Sequence, residues 1–307
     1  MAHSPITGLC LTDDPDTNVT EVALGLTMYL DDPLHWAQRG AGQALDAFLL
    51  HAPADRLAWY TTSMVPEWHR AGASGARMLT DMVSSERIDR IRHLFSFELV
   101  DNTDVPKTGF VYREYDPGRG GPRASVLEIS LLQQTDPQAL VALTTAIAQI
   151  GPFHCGVGGF AARWNPFEKN TSFTEIHGWT RRYLGLDVGD ADAMSWDAVE
   201  GLPGTNWLTL IGPSLAAARE IDLAALASLR WDDVTATAVG GGLLLQAGAE
   251  PTTGDRNRLT YPKAYAEVAR VLAPYFVEEP PELGGKFWRE KHTRPWQRRF
   301  LEPDAWQ

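Results

Sequence analysis

Hydrophobic and polar positions along the chain follow two periods, and each period predicts a different kind of element. Every second residue of the stretch 22–30 is apolar, and this period of two predicts a strand with one buried face. Asp32 and Pro33 then provide an N-cap and a first-turn proline for a helix that is expected to end near Leu50. The first regular region is therefore predicted to be a strand followed by a helix.

The same patterns predict a series of further elements. Strands are expected over 57–63, 95–100, 110–115, 124–132, 154–164, 207–211, 234–238 and 242–247. Helices are expected over 76–94, 137–150, 172–182, from 213 onward, and over 221–229 and 262–273. Because strands and helices alternate irregularly, the pattern favours an α+β fold with mainly antiparallel or mixed sheets flanked by helices. A further hypothesis is that the chain contains two similar halves that divide near residue 120.

Charge is distributed unevenly along the chain. There are 27 Lys and Arg residues against 39 Asp and Glu residues, which gives a net charge of −12. Residues 286–307 carry +3, so residues 1–285 carry −15. The cations of this tail are interleaved with aromatic residues, namely Trp288, Trp296, Phe300 and Trp306. We predict a single α+β domain over 1–285 with the tail packed on it by aromatic burial and charge pairing. Binding of single-stranded nucleic acid by the tail is the alternative.

Composition argues against several functional classes. The acidic total argues against a protein whose main task is to bind nucleic acid, because neutralising phosphates requires surplus Lys and Arg. Cys10 and Cys155 are too few for a disulfide framework. The N-terminus does not resemble a secretory signal, and no stretch approaches the roughly 20 apolar residues that span a bilayer. We therefore expect a cytoplasmic protein that contacts neither nucleic acid nor a membrane.

Sequence motifs that would mark a catalytic or cofactor site are absent. The glycine-rich segment 156–159 lacks the third spaced glycine of a dinucleotide fingerprint. His154 and Cys155 are adjacent, so on a strand they would point to opposite faces and could not easily pair as base and nucleophile. HExxH, GxSxG and CxxC do not occur. We predict no catalytic residue, no cofactor and no metal ligand.

Acidic residues are densest around residue 190. Asp187, Asp190 and Asp192 lie close together in the sequence, with Glu200 nearby. Their spacing does not match a calcium-binding loop, which needs alternating oxygen ligands, a glycine at the turn and a distal glutamate. A solvated acidic loop is therefore expected here.

Three sequence blocks between residues 178 and 212 resemble a known family. They read GW at 178–179, YLGLDV at 183–188 and GTNWLTLIG at 204–212. This combination resembles the type VI secretion immunity family of bacterial proteins. The likeness extends over most of the chain, and its most specific part is NWLT at 206–209.

The resemblance implies an antitoxin-like role. Family members are encoded beside toxic effectors, several of which resemble nucleases, and they protect the producing cell by binding the toxin. The motif residues are then expected to be structural: Trp179, Tyr183, Gly185, Leu186, Gly204, Asn206 and Trp207. Exposed acidic residues are the candidates for contact with a basic cognate toxin: Asp187, Asp190, Asp192, Glu200, Asp232 and Asp233.

Simple electrostatics agrees with this role. An acidic protein can occupy the basic cleft with which a nuclease attracts its substrate. We therefore expect an immunity protein, not an enzyme, that neutralises a type VI secretion toxin by covering its active site. The alternative is a carbohydrate-active enzyme or glycan-binding protein that uses Trp side chains and paired carboxylates. A third hypothesis is that the protein is a scaffold or subunit of an acidic assembly.

Overall fold

The computed structural model describes residues 6, 9–10, 18–52, 55–72, 95–115 and 121–306. Its strands are β1 (Leu9–Cys10), β2 (Asn18–Leu30), β3 (Trp59–Thr62), β4 (Val65–Arg70), β5 (Ser96–Val100), β6 (Gly109–Arg113), β7 (Ser125–Leu132), β8 (Phe153–Trp164), β9 (Leu208–Ile211), β10 (Val234–Val239) and β11 (Gly242–Ala247). Its α-helices are α1 (Pro33–His35), α2 (Ala41–Leu49), α3 (Pro137–Ile150), α4 (Lys169–Arg182), α5 (Ala191–Met194), α6 (Pro213–Ala218), α7 (Leu223–Ser228), α8 (Lys263–Leu272), α9 (Gly285–Glu290) and α10 (Thr293–Gln297). Among these described helices, none is long and apolar enough to span a bilayer.

One antiparallel sheet organises the described part of the chain. Its strand order is β10-β11-β9-β8-β2-β7-β6-β5-β3-β4, and the short β1 pairs with the start of β2. The long strands β2 and β8 pair at its centre, from Thr20 opposite Trp164 to Leu30 opposite Phe153. The predicted α+β class with mainly antiparallel strands is confirmed. The division into two similar halves near residue 120 remains a prediction.

The two faces of the sheet differ in polarity because side chains alternate along each strand. On one face, Leu24 and Leu26 of β2 are buried, and α3 packs against this strand. On the other face, the register places Thr27 of β2 beside Glu128 of β7, and Glu128 beside Val111 of β6. This second face carries the charged side chains of β5, β6, β7 and β8, and the candidate functional site lies on it.

Most predicted elements are present with shifted ends. Helix α3 begins as expected, because Asp136 Oδ1 accepts a hydrogen bond from the backbone nitrogen of Gln138 at 3.0 Å. The helix predicted after Asp32 is divided into α1, a π-helical turn over Trp36–Gly40, and α2. Strand β4 was not predicted. The helix predicted over 76–94 lies outside the described residues.

The structure places the family-like blocks largely inside the protein. Tyr183, Leu186, Gly204, Asn206 and Trp207 are buried, and Trp179 is half-buried. Gly185 packs closely on another segment, since a Cβ atom there would lie 2.0 Å from the carbonyl oxygen of Thr252. Gly204 has φ of +144°, a conformation that side chains rarely adopt. These positions therefore maintain packing and chain direction.

The described part of the basic-aromatic tail, residues 286–306, lies against α4. Four aromatic side chains of the tail are buried, namely Phe287, Trp296, Phe300 and Trp306. Trp306 Nε1 donates to the carbonyl oxygen of Thr180 at 3.0 Å. The expectation that Trp288 also anchors the tail is wrong, because its side chain is 65 % exposed.

Candidate functional site

A groove with a surplus of acidic side chains lies on the polar face of the sheet. It runs over β5 to β8 and is bordered by residues 102–106 and by α5. Its charged lining residues are Glu98, Asp104, Arg113, Glu128, Arg163, Asp190 and Asp192. Five of these are carboxylates and two are guanidinium groups. We call this surface the acidic groove.

Ion pairs hold several charged side chains of the acidic groove in place. Arg113 Nη2 lies 3.0 Å from Glu98 Oε1, and Arg113 Nη1 lies 2.9 Å from Glu128 Oε2. Arg163 Nη1 lies 3.1 Å from Glu128 Oε1, and its Nη2 donates to the carbonyl oxygen of Ile129. The strand register brings Arg113 of β6 close to Glu98 of β5 and Glu128 of β7, because these strands are neighbours and the three residues share one face. Arg163 of β8 reaches Glu128 across β2, where it passes over Gly25.

The carboxylates of the groove also keep Arg113 charged. Burial by itself would lower the pKa of its guanidinium group, but Glu128, Glu98 and Asp192 outweigh burial and raise this pKa. Both guanidinium groups of the groove are thus engaged with carboxylates of the protein itself. Since carboxylates outnumber guanidinium groups among its lining residues, these residues carry an excess of negative charge.

Two aspartates form the border of the groove at α5. Asp190 caps this helix, because its Oδ1 accepts from the backbone nitrogen of Ala193 at 3.2 Å, and its Oδ2 faces Lys169 Nζ. Asp192 Oδ1 accepts from the Tyr115 hydroxyl at 2.6 Å, and its side chain is 48 % exposed. Asp192 is therefore accessible to a partner, whereas Asp190 mainly positions the border.

Comparison with known protein families identifies the family of this chain. Residues 42–300 match the TsiV family, which is described as type VI immunity for VRR-NUC. The chain belongs to the TsiV family. The type VI secretion immunity family that the blocks at 178–212 predicted is thereby confirmed.

Solved structures contain a similar fold. The T6SS protein PA0821 of Pseudomonas aeruginosa matches with a TM-score of 0.78 and 19 % sequence identity, over 95 % of this chain and 89 % of that protein. Comparison with curated proteins finds no match. The likeness to this solved structure shows the fold alone. What the family match adds is the functional class. Membership of the TsiV family implies a type VI immunity protein for a VRR-NUC nuclease effector, and this class suggests a non-enzymatic role.

The structure of this TsiV-family protein does not bring the six predicted partner-binding residues together. Asp190 and Asp192 lie in the acidic groove. Asp232 and Asp233 lie in a separate depression beside α8, which we call the α8 depression. Glu200 is exposed and lines neither surface. Contact of these residues with a toxin remains a prediction.

Asp187 is not in the solvated loop that the sequence indicated. Its side chain is 19 % exposed, and its Oδ1 lies 3.7 Å from Arg299 Nη2 in the tail. Burial raises the pKa of the Asp187 carboxyl, although Arg299 and Arg163 oppose this shift. Burial also lowers the pKa of Arg299 to about 10. This pair is an internal contact between the body and the tail, so a charge reversal at Asp187 would disturb packing.

Sequence reasoning missed most of the acidic groove. The residues not anticipated are Glu98, Asp104, Arg113, Glu128 and Arg163. The sequence did contain one indication of this groove, because Glu128 interrupts an apolar strand and so indicates a polar side chain on one face of the sheet. The partners of each charge depend on the order and register of the five neighbouring strands β8, β2, β7, β6 and β5, which the pattern of one strand does not specify.

Proposed function

We propose that the protein neutralises its VRR-NUC effector by binding it through the acidic groove and covering the active site of the nuclease. The observation that carries this proposal is the excess of carboxylates over guanidinium groups in the groove. A nuclease has to attract a polyanionic substrate, so we expect a basic cleft around its active site. The acidic groove is complementary to such a cleft in charge.

Charge and aromatic side chains support the proposal at different ranges. The net charge of −12 provides long-range attraction that speeds the encounter with a basic partner. At contact distance, Trp68 and Trp164 line the groove, and tryptophan is among the residues that contribute most to protein–protein affinity. We propose a stoichiometric inhibitor that acts in the cytoplasm, without a cofactor and without contact to nucleic acid or membranes.

The arrangement of carboxylates favours binding over glycoside hydrolysis. A glycosidase needs two carboxyl groups that face the scissile bond across a cleft, one of them as proton donor. In the acidic groove, Glu98 and Glu128 are bridged by the same guanidinium group of Arg113. These two side chains therefore serve as ion-pair acceptors, and we propose that the protein is not an enzyme.

A matched pair of charge reversals tests the role of the groove. Asp104→Lys with Asp192→Lys alters the acidic groove, and Asp232→Lys with Asp233→Lys alters the α8 depression. Both double variants change the net charge equally, so long-range attraction falls by the same amount. We expect the groove variant to weaken the Kd for the effector at least ~100-fold, and the depression variant to weaken it less than ~10-fold.

Binding is measured by surface plasmon resonance with purified effector, and protection is measured by survival of cells that express the effector. Circular dichroism and thermal unfolding establish that both variants fold. Equal losses in the two variants would show that only net charge matters. Wild-type binding by the groove variant would show that the effector docks elsewhere, and either outcome overturns the proposal.

A further inference from the structure

Two histidines and a glutamate meet where the tail crosses α4. His177 belongs to α4, Glu290 is the last residue of α9, and His292 follows it by two positions. His177 Nε2 lies 2.9 Å from His292 Nδ1. Glu290 Oε2 lies 3.2 Å from His292 Nδ1 and 3.8 Å from His177 Nε2. Three atoms with lone pairs that bind metals thus converge on one point.

The spacing of these three atoms matches that of tetrahedral zinc ligands. Zinc lies about 2.0–2.1 Å from histidine nitrogen and about 2.0–2.2 Å from carboxylate oxygen. In a tetrahedron of that size, neighbouring ligand atoms are about 3.3 Å apart. The three observed distances of 2.9, 3.2 and 3.8 Å bracket this value. A metal ion can therefore be accommodated with side-chain shifts of only a few tenths of an ångström.

The backbone of the tail is bent so that its two ligands face the same way. Lys291, between Glu290 and His292, has φ of +53°, which is uncommon for a residue with a side chain. The backbone nitrogen of His292 donates to the carbonyl oxygen of Phe287 at 2.8 Å, which closes the end of α9. This turn keeps the Glu290 and His292 side chains directed toward α4.

The surroundings leave His177 in a state that can bind a metal. Burial lowers the pKa of His177 to about 4, and Glu290 only partly opposes this shift, so the ring is neutral at pH 7. The rings of Phe287 and Trp306 pack edge-on against His177 at centroid distances of 5.0 and 5.4 Å. Arg181 and Lys286 disfavour added positive charge, and the Glu290 carboxylate offsets them. The Glu290 side chain is 45 % exposed, so the cluster has access to solvent.

We propose that His177, Glu290 and His292 bind one Zn²⁺ ion, with water as the fourth ligand, and that this ion fastens the tail to α4. Two neutral imidazoles and one carboxylate are a ligand set that divalent zinc accepts, and three protein ligands leave one position open. Each imidazole offers the nitrogen that faces the cluster, while the proton occupies its other ring nitrogen. The site connects residues that are 115 positions apart in the chain.

Zinc titration of the untagged full chain by isothermal calorimetry, after treatment with a chelator, tests this site. We expect one equivalent to bind, and we expect Glu290→Gln and His292→Gln to weaken the Kd at least ~10-fold each. The matched controls are Glu279→Gln and His51→Gln, which lie outside the cluster and should keep wild-type affinity. Cobalt substitution adds a second readout, because tetrahedral Co²⁺ absorbs visible light more strongly than octahedral Co²⁺.

Two further measurements distinguish loss of the zinc site from misfolding of a variant and test the effect of zinc on the tail. Thermal unfolding in excess chelator shows whether the variants fold, and limited proteolysis shows whether zinc slows cleavage within the tail. Failure to bind zinc, or equal binding by wild type and His292→Gln, would overturn the proposal and leave a metal-free histidine pair. The experiment contains no effector, so its outcome is independent of the proposed function.

Discussion

At the scale of single residues, Gly178 and Gly185 show how the same residue type serves opposite needs. Gly178 lies within α4 with open space where a Cβ would be, whereas a Cβ on Gly185 would meet the carbonyl oxygen of Thr252 at 2.0 Å. Gly178→Ala should stabilise the protein by about 0.5–1 kcal/mol, because alanine favours the helix. Gly185→Ala should destabilise it by about 1–3 kcal/mol through overpacking.

Urea denaturation of the two alanine variants measures these opposite shifts in the free energy of unfolding. Each variant is the control for the other, since both substitutions replace a glycine by alanine and the two glycines are only seven positions apart. Stabilisation in both would mean that the contact between Gly185 and Thr252 relaxes without cost.

The stability of the protein should also depend on pH through His154. Burial lowers the pKa of His154, and Asp31, whose Oδ1 lies 3.6 Å away, only partly opposes this shift. Below about pH 6.5 the unfolded chain therefore binds a proton at this residue that the folded protein excludes, so stability falls as pH falls. Between about pH 7.5 and 5.5, the free energy of unfolding should decline less for His154→Asn than for the wild type.

Chemical denaturation at several pH values provides this comparison. The difference between the two proteins at pH 7.5 reports the packing effect of the substitution, and its change with pH reports the protonation effect. Parallel declines in the two proteins would show that His154 does not contribute to the pH dependence.

At the scale of elements, the attachment of the tail depends on aromatic contacts with α4. Trp306 is buried, its ring stacks on Phe287 at a centroid distance of 5.8 Å, and its Nε1 donates to the carbonyl oxygen of Thr180. Trp306→Ala should cost about 3–5 kcal/mol, as is typical of a buried tryptophan. Trp288→Ala removes the same side chain from the exposed side of α9 and should change stability by less than about 0.5 kcal/mol.

Thermal and urea unfolding of the two tryptophan variants test this difference. Limited proteolysis should place the first new cleavage of Trp306→Ala within residues 286–307. Equal stability of the two variants would contradict the attachment of the tail through Trp306.

Strand β4 shows where the prediction of secondary structure from the sequence pattern fails. Its residues Val65–Arg70 are exposed or half-buried, and β4 is the last strand at its edge of the sheet among the described residues. Neither face of this strand is covered by the core, so apolar and polar residues need not alternate. Strands β2 and β7 lie inside the sheet, are largely buried and have apolar residues at every second position, so they were predicted.

At the scale of the whole molecule, the distribution of charge should control how fast the effector binds. The net charge of −12 attracts a basic partner over several ångströms, and salt screens this attraction. We expect kon to fall at least ~10-fold between about 50 and 500 mM NaCl, with a much smaller change in koff. The Asp104→Lys, Asp192→Lys variant should show a weaker dependence of kon on salt.

Stopped-flow mixing with the purified effector measures both rates. The variant with Asp232→Lys and Asp233→Lys is the control for net charge. A kon that is independent of salt in the wild type would show that electrostatic steering does not contribute to capture.

The fold class, most elements and the family can be predicted from the amino-acid sequence alone. Alternating apolar residues specify the strands locally, and the blocks at 178–212 carry an order of residues specific enough to indicate the type VI secretion immunity family. Which charged side chains are exposed depends on how the whole chain folds. Asp187 lies against Arg299, and the charged side chains of the acidic groove come together from β5, β6, β7, β8 and the segments around residues 104 and 190.

The same separation applies to the histidine cluster. His177 and His292 are far apart in the chain and belong to no spacing motif, so only the packing of the tail on α4 brings them to 2.9 Å. Local patterns specify elements because each residue interacts with neighbours three or four positions away in a helix and two away in a strand. Sites that combine distant residues depend on register and packing, which form only when the whole chain folds.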